Sequence, residues 1–173
     1  AVADALLFRA YRRSLFPDSA TNENALELNE GLAEYTGVKL SSADLQETAV
    51  RANLALRQAR NNPTFARSFA YVSGPAYGAL LDLAGKPWRA TLKPTADLGL
   101  LLQQRYGVTT RASEAAARAA AQRYEGEEII AIETQQEQKR NQQIGDAKKK
   151  FFDEPVLILP LTQDVNYSYD PNN

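Results

Sequence analysis

The stretch Ala25-Leu26-Glu27-Leu28-Asn29-Glu30-Gly31-Leu32-Ala33-Glu34-Tyr35-Thr36-Gly37 sets the reading of this 173-residue chain. At 3.6 residues per turn, Leu28, Leu32 and Tyr35 fall on one side of a helix, and Ala25, Leu26 and Ala33 widen that apolar face. Glu23, Glu27, Glu30 and Glu34 form a second stripe at i, i+4, i+7 and i+11. Like charges one turn apart disfavour an isolated helix by about 0.2–0.5 kcal/mol per pair. No Lys or Arg stands between Glu23 and Val38 to offset them, so the compensation must come from elsewhere in the chain. Glu30 borders the apolar face beside Leu26 and Ala33, which predicts a carboxylate turned into a partly buried cleft. Gly31 is about 1 kcal/mol less favourable than Ala in a helix interior, and its presence there predicts close approach by another backbone or a ligand.

Taken as a generic amphipathic helix, this segment would simply present a solvated acidic face. Its residue order says more. Leu28-Asn29-Glu30-Gly31-Leu32-Ala33-Glu34-Tyr35 resembles the LNEGxAxY segment of the gluzincin zinc peptidases, the aminopeptidase N-like group. In that family the Glu is the third zinc ligand and follows a helix bearing HExxH. Ala70-Tyr71-Val72-Ser73-Gly74-Pro75-Ala76-Tyr77-Gly78 is similar to the family's downstream YxxG segment, in which a tyrosine hydroxyl stabilises the tetrahedral intermediate. Ser73 stands where the family usually has Lys, and Pro75 is an addition. The resemblance spans about Leu26 to Trp88. It implies Glu30 as a zinc ligand, Tyr71 as a catalytic hydroxyl, zinc as the cofactor of the complete site and a peptide as substrate.

The composition limits what this chain can do alone. Hydrophobic residues make up 44% and charged residues 24%, which suits a domain with a true core. A formal net charge of −1 gives no global attraction for nucleic acid or an anionic membrane, and no apolar run is long enough for a membrane span. Without Cys, disulfides and thiolate chemistry are excluded, while the compartment stays undetermined. The chain also lacks Met and His. The missing Met predicts a segment of a longer product. The missing His is decisive for chemistry, because catalytic zinc sites use three protein ligands and commonly two imidazoles. Counting back from Glu30 by the family's usual spacing reaches Leu7 to Tyr11, which reads Leu-Phe-Arg-Ala-Tyr. The histidines are therefore expected in a missing N-terminal portion of the same protein or in a partner chain, or the metal site has been lost.

The remainder reads as mainly α, a helical bundle-like domain of about six to eight helices over 1–152, followed by a short β-hairpin over 153–173. Ala1 to Phe16 is predicted helical, with Arg9, Arg12 and Arg13 clustered on one face. A short turn at Pro17-Asp18-Ser19 favours an antiparallel pair, which would bring these arginines to the Glu23/Glu27/Glu34 stripe. The central helix is expected to start at Thr21 or Asn22 and to stop at Gly37. A further helix should run from Ser41 or Ser42 to about Arg60 with a seam of Leu45, Ala49, Ala52, Leu56 and Ala59. Thr64 to Val72 is predicted helical, Ser73-Gly74-Pro75 a break, and the next helix continues through Leu83. Trp88 is an expected anchor under a turn. Asp97 to Tyr106, Ser113 to Tyr124 and Glu127 to Gln143 complete the helices, the last with only Ile129, Ile130 and Ile132 strongly apolar and a tail, QQEQKRNQQ, polar all round, as in an exposed helix or a connector. Val156-Leu157-Ile158-Leu159 and Val165-Asn166-Tyr167-Ser168-Tyr169 read as strands that need more sheet than this chain contains.

Two functional expectations follow. One is the C-terminal part of a gluzincin-like zinc metallopeptidase, inactive as this chain alone. The other is a non-catalytic helical interaction or structural protein that has lost the metal site. A nucleic-acid surface on the Gln/Lys-rich segment 134–150 is disfavoured, because acidic residues interleave the basic ones.

Overall fold

The computed structural model describes residues 1–62, 65 and 68–157. Among these residues the regular structure is helical throughout, with no strand. The expected β-hairpin falls mainly on 158–173, outside the described residues, and 154–157 carry no strand. The chain divides into two compact units, Ala1–Ala117 and Arg118–Asn173.

In the first unit, α1 (Val2–Leu15) ends with Arg12 and Arg13 in its last turn, where positive charge complements the helix dipole. α2 (Ser19–Leu26) passes without a break through a π-turn (Glu27–Gly31) into α3 (Leu32–Leu40). The Leu32 N–H donates to the Glu27 carbonyl, five residues back, and this bond defines the wider turn. The expected stop at Gly37 is not there. Gly37 lacks the left-handed backbone that ends a helix, and the chain continues to Ser41, whose N–H bonds the Gly37 carbonyl.

α4 (Leu45–Ala59) is capped by Asp44, which accepts from the Glu47 N–H at 2.8 Å while the Glu47 carboxylate accepts from the Ala43 N–H at 2.7 Å. These reciprocal bonds satisfy two otherwise unpaired donors at the helix start. Its buried face is Thr48, Ala52 and Ala59, not the full predicted seam, and Leu56 is exposed. Thr48 can be buried because its hydroxyl donates to the Asp44 carbonyl at 2.9 Å.

α5 (Phe69–Leu83) runs unbroken through Pro75, contrary to the predicted break at Ser73-Gly74-Pro75. A proline ring normally crowds the Cβ of the preceding residue, and Gly74 has none. α5 is the centre of the unit and buries Ala70, Gly74, Pro75, Gly78, Ala79 and Leu81 against α3, α4, the π-turn and α6. α3 and α5 run in the same direction, in register over about two turns: Gly31 lies on Gly74, the Tyr35 ring on Gly78, and Lys39 on Asp82, each pair 43 residues apart.

After a 3₁₀ turn at Arg89–Thr91, α6 (Leu98–Tyr106) starts at Asp97, which accepts from the Leu100 N–H at 3.0 Å, and closes on left-handed Gly107. The core consists of Leu6, Tyr35, Leu81, Trp88, Leu98 and Leu102, with Leu28 and Leu32 packed against it. Each fully buried leucine contributes about 1.5–3 kcal/mol. Trp88 is 3% exposed, the anchor that the sequence predicts.

α7 (Glu114–Ala121) spans the boundary between the units. In the second unit, a 3₁₀ turn (Gln122–Tyr124) and left-handed Glu125 precede α8 (Gly126–Lys148), which is exposed along almost its whole length and ends in a second π-turn, Lys149–Asp153.

Candidate functional site

Two features of the sequence bring a carboxylate and a phenol together. The first is the pair of glycines at the crossing of the π-turn and α5. A Cβ on Gly31 would lie 2.9 Å from the Ala70 carbonyl oxygen, and one on Gly74 would overlap the Gly31 backbone. No other residue allows the two backbones this close. The second is the π-turn itself. At a 3.6-residue period all four glutamates share one stripe, but the wider turn carries Glu30 further round the helix from Glu27 than an α-turn would. The stripe thus splits: Glu23 and Glu27 face α1, and Glu30 faces α5.

Tyr71 then donates its hydroxyl hydrogen bond to Glu30 Oε2 at 2.7 Å. Glu30 is half-buried and Tyr71 is 46% exposed, so the pair opens to solvent on one side. The hydrogen bond to Glu30 holds the Tyr71 phenol above its ordinary pKa, and the negative fields of Glu30 and Glu34 act in the same direction. Glu34 lies one turn beyond Glu30 and is exposed. The sequence singles out Glu30 and Tyr71 on separate segments, and the structure places them in direct contact.

The arginines meet the stripe as expected at two of its members. Arg9 grips Glu27 with both terminal nitrogens, one at 2.7 Å and the other in a still closer contact. Arg12 and Arg13 both bond Glu23, Arg13 through Nε at 2.9 Å. Glu34 receives none of them. Arg13 and Arg9 also share the Asn24 side-chain oxygen, at 2.7 and 3.0 Å, and both reach Asp97 at the start of α6. Glu27, at 1% exposure, is the most buried carboxylate of the stripe, whereas the position on the apolar border assigned that place to Glu30. Burial disfavours the Glu23 and Asp97 carboxylates. Hydrogen bonds from Arg12 and Arg13 for Glu23, and chiefly the charge of Arg9 for Asp97, outweigh burial and hold both below the usual range.

A second cluster escaped the sequence reading. Asp82 accepts from Tyr35, from Lys39 at 2.6 Å, from Trp88 Nε1 at 2.8 Å and from Arg89. Burial pushes its pKa up, but these four donors overcome that and hold it far below the carboxylate range. The signal was present in the spacing: Asp82 continues the face of Gly74 and Gly78 at i+4 and i+8, so it had to lie against α3.

Among the described residues no group of three or more His, Cys, Asp or Glu side chains could hold a metal ion. Glu30 and Tyr71 alone offer one carboxylate and one phenol, short of the three protein ligands that a catalytic zinc takes. Among the described residues, no helix is long and apolar enough to cross a membrane. No family model matches the chain, and no curated protein or solved structure is significantly similar to it.

Proposed function

We propose that this chain is the portion of a gluzincin-like zinc metallopeptidase that carries the carboxylate ligand and the hydroxyl donor, and that peptide hydrolysis requires ligands from outside it. The observation that carries the reading is the 2.7 Å contact between Tyr71 and Glu30. Two residues named independently by short family-like segments, 41 positions apart, meet at a solvent-open edge of the same helix pair. A carboxylate facing solvent needs no partner, and the nearby Glu23 and Glu27 are neutralised by arginines while Glu30 meets a neutral donor. Among the described residues no cation bonds Glu30, so the carboxylate oxygen that Tyr71 does not hold is open to one. Tyr71 stays protonated at neutral pH, so it retains a proton to donate to a developing oxyanion. With no histidine in its sequence, the chain by itself is expected to bind no zinc at a defined site and to show no peptidase activity.

The test is zinc titration by calorimetry on the product of the longest open reading frame containing this sequence. One zinc per chain is expected, together with an HExxH motif ahead of Ala1. Glu30→Ala should weaken that zinc by more than about 100-fold, beyond the about 10–100-fold typical of an outer-shell partner. Zinc bound equally well without the Glu30 carboxylate, or no bound zinc, would remove the proposal.

The second reading is a non-catalytic helical interaction protein. It is favoured by α8, where Ile129, Ile130 and Ile132 are 44–54% exposed along a helix that, among the described residues of its own unit, packs on little besides its flanking turns.

A further inference from the structure

The π-turn is not required by the local sequence, which reads as ordinary α-helix from Ala25 to Tyr35. Something must hold it. We propose that the buried Arg9–Glu27 ion pair positions Glu30: it anchors the residue that opens the π-turn and thereby sets the Glu30 carboxylate opposite the Tyr71 hydroxyl.

Glu27 has two roles in the wide turn. Its carbonyl accepts the five-residue hydrogen bond from Leu32 that defines the turn, and its carboxylate is held by Arg9. The side chains of Arg9 and Glu27 are 9% and 1% exposed. A bidentate guanidinium–carboxylate contact fixes direction as well as distance. Arg9 itself has little freedom. Gly99 lies against its stem, where a Cβ would come within 2.6 Å of Arg9 Nε, and the Tyr77 ring lies under the guanidinium at 5.4 Å. Its Nη1 also donates to Tyr77 OH, and its Nη2 is shared among Glu27, Asn24 and Asp97.

The helix is therefore held at two places from two sides. α1 holds Glu23, Asn24 and Glu27; α5 holds Gly31 and Tyr35. Glu27, the last residue held by α1, and Gly31, the first held by α5, are the two ends of the π-turn that contains Glu30. Arg9 and Glu27 touch neither Tyr71 nor any solvent-open group of the site, so their action on Glu30 is through the backbone. This concerns the same pair as the proposed peptidase site and relies on that reading only for what the pair does. The test reads the geometry alone, so it can fail while zinc titration succeeds, and the reverse.

The chain is labelled with ¹³C at tyrosine Cζ, and the Tyr71 signal is assigned by its loss in Tyr71→Phe. In the wild type Tyr71 is expected to titrate above the ordinary tyrosine value of about 10. Glu30→Gln gives the reference for a weakened contact, with Tyr71 shifted down. Glu27→Gln should produce the same downward shift while circular dichroism shows the helices retained. Arg9→Met combined with Glu27→Leu removes both charges without leaving one buried and unpaired, and it should again shift Tyr71 to the Glu30→Gln value. Arg9→Lys keeps the charge without the fork and should give a smaller shift. A wild-type Tyr71 titration in folded Glu27→Gln, or in the folded double variant should the single one not fold, would overturn the proposal. The ion pair would then stabilise the helices without setting the site.

Discussion

Gly31 and Gly74 meet backbone to backbone, with no room for a methyl group on either. The contact decides which glycines in this helix pair can be replaced. Gly74→Ala should destabilise the protein by about 1–3 kcal/mol or more, the range for overpacking a fitted interior. Gly37, two turns beyond Gly31 on α3, would place its Cβ in open space, and Gly37→Ala should stabilise by up to about 1 kcal/mol through helix propensity. Urea unfolding of the two variants checks the opposite signs.

Stability should fall in acid over a defined window. Glu23, Asp82 and Asp97 have folded pKa values below their unfolded values of about 4. A depressed carboxyl contributes stability that is fully present above the unfolded value and is lost as pH falls through the folded one. The urea midpoint should therefore be flat above about pH 5 and decline progressively below about pH 4. Glu23→Gln should reduce that slope, and an unchanged slope would mean that the Arg12 and Arg13 contacts do not hold in solution.

Two glutamates of one helix should respond very unequally to the same substitution. Glu30→Gln and Tyr71→Phe alter a solvent-open contact and should each change stability by less than about 1 kcal/mol. Glu27→Gln weakens a buried ion pair and leaves Arg9 short of its partner, at a cost of up to about 3–5 kcal/mol. Thermal and urea unfolding of the three variants would show whether site and scaffold separate in this way.

Trp88 is the single tryptophan and a direct reporter of the Asp82 cluster. Its 3% exposure predicts blue-shifted emission that resists iodide quenching. Asp82→Ala leaves the Trp88 N–H, the Tyr35 hydroxyl and the Lys39 ammonium without their shared acceptor. An unpaired buried donor costs about 1–3 kcal/mol. Red-shifted emission with increased quenching is expected, and unchanged fluorescence would show that the cluster does not hold the ring.

The helical class was legible because the apolar periodicities are strong, and the start at Asp97 and the close at Gly107 follow from residue type, whereas the start expected at Ser41 or Ser42 falls at the Asp44 cap. The failures are instructive. Gly37 carries a stop signal that requires a left-handed backbone, and a single sequence does not show whether the next residues can keep the helix going. Pro75 was read as a break because its tolerance depends on Gly74 and on burial from three sides. Glu30 was set apart from the other three glutamates by its apolar border, but its burial was overestimated and that of Glu27 missed, because a 3.6-residue period cannot reveal the π-turn between them. Glu30 and Tyr71 were nameable from local order and Arg9 from the antiparallel pairing of the first two helices, whereas Asp97 and Asp82 gain their roles only once α1, α3, α5 and α6 are assembled.

Because α3 and α5 point the same way, no tight hairpin can join them; α4 must first carry the chain back along their length. Residues 30 and 71 consequently have no short route to each other during folding, and closing that long loop comes late. A nascent chain ending at α4 would already display the glutamate without its phenol, so whatever the pair recognises cannot be engaged until the returning helix has been made and docked.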